Sequence, residues 1–162
     1  MTPMEQRKCQ TDNEKVLDEL LKASRILADE TYQVPPQIMW VDNSTIATLG
    51  NFSASTGKAK SRKTFNVSAI VAASLGNKQV LKYKACLPEG KRKILYIDTE
   101  QSRYHCHGVM RRILRLAGMQ QDVNAANLVF YGLREYHPTM RLQLIERALE
   151  QEQGCGLVII DG

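Results

Sequence analysis

Long apolar runs are missing. No stretch approaches the roughly 18 residues that a membrane-spanning helix needs, and the first residues, MTPMEQRKCQTDNEK, are polar with no apolar core of the signal-peptide kind. Cysteine is sparse, and Cys9, Cys86, Cys106 and Cys155 are scattered without metal-ligand spacing. Reduced thiols in a cytosolic protein are the simplest reading of that pattern. Internal repeats and low-complexity tracts are also lacking. The expected setting is therefore cytoplasmic, with no membrane partner.

What is present is ordinary globular composition. The 162 residues are 43% hydrophobic and 24% charged, enough for one domain with a sizeable core. The formal net charge is +5, an excess compatible with nucleic acid or nucleotide partners without specifying either.

TDNEKVLDELLKASRILADE predicts an amphipathic helix, with Thr11 and Glu14 at capping-box spacing and Val16, Leu20 and Leu27 near the helical period. Pro35 and Pro36 then stop helix continuation, so residues 1–37 read as an N-terminal helix and linker, and 38–162 as the main fold. IMWVDNSTIATLG predicts two short strands around an Asp-Asn-Ser turn, and NFSAST another strand with Phe52, Ala54 and Thr56 on one face. A helix follows from Lys63 to Leu75, with Gly76 as its stop. The lysine-rich stretch GNKQVLKYKACLPEGKRK reads as a polar insertion, most simply a charged surface hairpin. Beyond it, ILYID, NLVFYG and GLVIID alternate with the helical patterns YHCHGVMRRILRLAG and PTMRLQLIERALEQEQ. Short, nearly continuous apolar strands between helices indicate a parallel sheet covered on both faces.

Three segments carry chemistry. GKAKSRKT, Gly57 to Thr64, is one residue away from the phosphate-cradling pattern G-x-x-x-x-G-K-[ST]. In that pattern backbone N–H groups and a helix N-terminus surround the phosphates, the lysine reaches the outer ones, and the hydroxyl faces a magnesium ion. The expected phosphate-binding set is Gly57, Lys58, Ala59, Lys60, Ser61, Arg62, Lys63 and Thr64. Arg62 occupies the last glycine's place; if that position needs positive φ, a non-glycine residue there costs about 1–2 kcal/mol. Taking Gly57-Lys58 as the Gly-Lys pair fails, because Ala59 has no hydroxyl. The second segment, ILYIDTEQ, puts Asp98 and Glu100 at the carboxyl end of a strand, where a carboxylate can orient or deprotonate water. Glu100 is the catalytic candidate, with Lys63 beside it in that role, and Asp98 reads as an end-of-strand acceptor. The third, GLVIIDG, is an apolar run ending in Asp161, the usual form of a magnesium-holding strand, so Thr64 and Asp161 are the candidate metal residues.

In this order, GKAKSRKT, ILYIDTEQ, helix–strand–helix and GLVIID resemble the RecA-like ATPases, and more closely the hexameric RepA-type helicase ATPases of plasmids and mobile elements. The resemblance spans about Trp40 to Gly162. It implies a RecA-like α/β phosphate-loop fold with a mostly parallel sheet and an N-terminal helix outside it. It further implies Mg-ATP binding and hydrolysis, ring or filament assembly of identical chains, and work on DNA. Matched by position, Lys63 and Thr64 are the phosphate-loop pair, Glu100 the catalytic glutamate and Asp161 the magnesium aspartate. Arg62 departs from the family's glycine, which puts hydrolysis in question. The sequence ends before the family's later strands, so the expectation is a core truncated after the magnesium strand, and an inefficient ATPase in isolation. The alternatives are a nucleotide-binding regulator without hydrolysis and a DNA-binding accessory protein with a vestigial loop.

Other features read as structural. His105, Cys106 and His107 are consecutive on a helix, about 100° apart, and do not converge on a metal. Arg111, Arg112 and Arg115 read as a solvated helix face, and Arg134 and His137 as residues of a strand-to-helix loop near the ligand edge.

Overall fold

The computed structural model describes residues 3–58 and 62–162, and for 3–12 the backbone alone. The chain divides into two compact units, Met1–Val34 and Pro35–Gly162.

In the first unit a single helix, α1, runs from Pro3 to Ala23. It starts upstream of the expected cap at Thr11, which is an interior helical residue, and it stops before the expected Glu30. Among its described side chains, Val16, Leu17, Leu20 and Leu21 are exposed. No helix among the described residues is long and apolar enough to cross a membrane.

The second unit is a mixed α/β fold. Its parallel sheet has the order β6-β5-β7, from β5 (Lys93–Asp98), β6 (Leu128–Gly132) and β7 (Cys155–Asp161). Helix α3 (Arg103–Ala117) joins β5 to β6, and α4 (Pro138–Gln151) joins β6 to β7. Strand parity sends the two helices to opposite faces. Ile94 and Tyr96 of β5 pack with Val109, Ile113 and Ala117 of α3. Leu95 and Ile97 pack with Leu144, Ile145 and Ala148 of α4. β5 is therefore buried on both sides, which explains its unbroken apolar run.

The lysine-rich insertion holds an antiparallel hairpin with Lys82 and Lys84 exposed, as expected, but the expectation of a polar surface insertion is corrected. It is no surface appendage but half of a second, antiparallel sheet, order β2-β1-β4-β3, built from β1 (Gln37–Val41), β2 (Ser44–Thr48), β3 (Gln79–Val80) and β4 (Tyr83–Ala85). Tyr83, Ala85 and Leu87 point into the core while Lys84 and Cys86 face out, the alternation of a half-buried strand. Lys84 lies over the Trp40 ring on the outer face, 5.7 Å from its centroid. Helix α2 (Lys63–Gly76) packs against β3, β4, β5 and α3, so one core joins both sheets.

Two further expectations do not hold. NFSAST forms no strand: residues 51–58 make no ladder, and Phe52 is 96% exposed. Period-two alternation is not enough without a neighbouring strand to take the backbone N–H and C=O groups. The stop of α2 is Asn77 rather than Gly76. Asn77 takes the left-handed conformation (φ 47°), and its side-chain amide is tied to the Leu87 backbone in both directions. Asparagine tolerates this conformation because its short polar side chain bonds locally.

Candidate functional site

Helix α2 starts at the segment expected to hold phosphate. Arg62 is its N-cap and sits in the left-handed region, φ 62° and ψ 28°. Its carbonyl accepts from the N–H groups of Phe65 (3.0 Å) and Asn66 (3.1 Å), so this conformation is fixed to the first helical turn. Arg62 makes no side-chain cap bond, and the first turn of α2 contains no acidic residue. The N–H groups of a helix start and its positive end attract an anion. Lys63 is exposed and Thr64 half-buried; Gly57 and Lys58 lie exposed in the irregular segment. Ala59, Lys60 and Ser61 lie outside the described residues.

Packing fixes which sheet edge this helix start occupies. α3 leaves the carboxyl end of β5 and runs back to the amino edge to reach β6. The Lys78 ammonium donates to the Ala117 carbonyl (2.8 Å), which puts the carboxyl ends of α2 and α3 together. The two helices pack against one another closely, so they run in the same direction. A 14-residue helix is about 21 Å long, close to the length of a six-residue strand. Lys63 and Thr64 therefore stand toward the carboxyl edge of the parallel sheet, on the α3 face.

The acids occupy the same edge. Asp98 and Asp161 are in register across β5 and β7. Asp161 shares strand parity with Leu157 and Ile159, and Asp98 with Ile94 and Tyr96, all four of which pack on the α2–α3 side. Their surroundings differ. Asp98 is fully buried and accepts the Glu100 N–H (3.0 Å), the Gln101 N–H (2.7 Å) and the Gln101 side-chain amide (2.9 Å). It anchors the turn that carries Glu100, whose own side chain is exposed. Asp161 is half-buried, and its Oδ2 accepts the Tyr96 hydroxyl at 2.8 Å.

Tyr96 and Gln101 are the site residues that motif reasoning passed over. The usable signal was parity: a tyrosine inside an apolar strand, two positions before an aspartate, shares that aspartate's face. The Tyr96 ring is fully buried and stacks on Phe130, centroids 4.3 Å apart. Burial, then the Asp161 carboxylate, pushes its phenol far above the usual range, so it stays an O–H donor. The neighbouring Cys106 thiol is pushed up to about 11, chiefly by burial and then by the Asp98 charge. Cys106 points inward while His105 and His107 are exposed, as expected for consecutive helical positions.

A small cleft of about 30 Å³ opens where the β5–α3 and β6–α4 loops part to opposite faces, lined by Gln101, Arg103, Gly132, Arg134, Glu135 and Tyr136. A larger, apolar groove of about 110 Å³ lies under α4, on the face away from Asp161. Among the described residues no three His, Cys, Asp or Glu side chains come together as a metal-binding group. Magnesium does not require one, since it is commonly held by one or two carboxylates, phosphates and water. The Thr64 hydroxyl and the Asp161 carboxylate fit that donor set. Comparison of the chain with family models, curated proteins and solved structures found no match.

Proposed function

We propose that the chain is a RecA-like, Mg-ATP-binding and ATP-hydrolysing domain of a cytoplasmic helicase- or replication-associated protein of a mobile element, working on DNA as a ring of identical subunits. One observation carries the nucleotide reading. That reading is supported by a basic helix start with a left-handed N-cap, packed on the α3 face, together with two acids in register at the carboxyl ends of β5 and β7. In open α/β sheets that edge is where ligands bind.

Each residue then has a task. The N–H groups of the α2 start and the Lys63 ammonium bind the phosphates. Thr64 and Asp161 hold the magnesium ion, which neutralises phosphate charge when bound. Glu100, on the turn fixed by Asp98, orients water toward the terminal phosphate. Phosphoryl transfer to water needs little beyond such positioning and charge stabilisation.

Titration of a fluorescent ATP analogue into the parent chain and Lys63→Ala tests the reading. Loss of the lysine weakens binding by about tenfold or more, the scale of one charge-assisted hydrogen bond to phosphate. Equal affinities would refute a phosphate loop at this position. A regulator without hydrolysis is the second reading, favoured by Arg62 in the glycine position; ATP binding without phosphate release would select it.

A further inference from the structure

Tyr96 is spent on neither binding nor the fold in any obvious way. A phenylalanine would fill the same buried, stacked position against Phe130. The hydroxyl reaches across from β5 to β7 and donates to one oxygen of Asp161, at 2.8 Å. Tyr96 itself lies in register with Ile159, two residues before Asp161 and on the same face. An end-of-strand carboxylate that is half-exposed would otherwise rotate about its χ torsions. One buried donor on Oδ2 restricts that freedom.

We propose that Tyr96 is a positioning residue: its buried hydroxyl orients the Asp161 carboxylate so that Oδ1 is presented to the magnesium ion of a bound nucleotide. The assignment rests on the nucleotide-binding reading above. It adds a residue that makes no contact with nucleotide and acts through another side chain. Outer partners of this kind typically change metal affinity by about 10–100-fold when lost.

The test is the magnesium dependence of nucleotide binding, followed with a fluorescent ATP analogue in EDTA-buffered titrations of the 162-residue chain. Tyr96→Phe keeps the ring and its stacking, and circular dichroism verifies the fold. Metal-free nucleotide affinity stays at the parent value, while the Mg²⁺ concentration at half-maximal effect rises about tenfold. Asp161→Asn gives a comparable rise, and adding Tyr96→Phe to it gives no further shift, because the two groups act as one unit. Phe130→Leu, which removes the stacking and keeps the hydroxyl, lowers thermal stability and leaves the Mg²⁺ midpoint unchanged. A Tyr96→Phe chain with the parent's midpoint overturns the role of Tyr96 and leaves nucleotide binding standing. A parent chain that binds no nucleotide overturns both.

Discussion

Arg62→Gly isolates the backbone cost of the departure from the phosphate-loop pattern. Arg62 is held at φ 62° with its carbonyl bonded into the first turn of α2. A residue with a Cβ in that region costs about 1–2 kcal/mol, because Cβ crowds the following carbonyl oxygen. Glycine removes this strain and brings extra unfolded-state freedom of about 0.5–1 kcal/mol against it. The net expectation is a stabilisation of about 0.5–1 kcal/mol, or a Tm rise of about 1–4 °C for a chain of this size. Thermal unfolding followed by circular dichroism, with a urea titration at fixed temperature, measures both. Arg62→Ala is the control: it removes the guanidinium and keeps the Cβ, so it shows no such gain. If the Arg62→Gly and Arg62→Ala chains unfold together, or if the glycine substitution lowers Tm, the left-handed strain is not there and the helix start has another geometry.

Two further outcomes follow from the ionisable groups. Lys93 is bonded to Glu152 at 2.8 Å, and that bond raises its pKa above the ordinary lysine value. A raised folded-state pKa means the contribution is complete below the unfolded lysine value, near 10.4, and is lost as pH rises through the folded one. The parent's Tm should therefore fall more steeply than that of Lys93→Met across this alkaline window; parallel curves would show that the pair contributes nothing. Cys106, buried with its thiol pushed up to about 11, should resist a thiol reagent at neutral pH while the exposed Cys86 reacts at once. Comparison with Cys106→Ser shows which labelling phase is lost, and a fast phase missing from that variant would place Cys106 at the surface.

The parallel half of the fold was legible because its strands carry their own evidence. ILYI, LVFY and LVII are short apolar runs, the first because β5 is covered on both faces, and the helices between them carry readable signals, Gly118 at φ 74° after α3 and Pro138 at the start of α4. The antiparallel half was hidden by charge. Lysines at 82, 84, 91 and 93 dominate the insertion, yet Tyr83, Ala85 and Leu87 are buried at alternate positions. Weighing the period ahead of the composition would have found β4. Residues 51–56 show the opposite error: their alternation is real, but pairing is a property of two segments, and only one of them is there to be read.

The acids show where motif reading stops. β5 and β7 both end as apolar runs closing on aspartate, and by sequence the two ends are nearly interchangeable. Sheet order separates them. β5 is central, with β6 on one side and β7 on the other, and the turn after it folds back so that Asp98 is enclosed by the N–H groups of Glu100 and Gln101. An acid satisfied three times over is spoken for. β7 lies at the sheet's margin, with Ile160 62% exposed, and Asp161 has Tyr96 as its side-chain partner. Which of the two carboxylates is enclosed is therefore tied to sheet order, β5 being the strand flanked on both sides. That order depends on how α3 and α4 cross to opposite faces, a long-range fact that no window of a few residues contains.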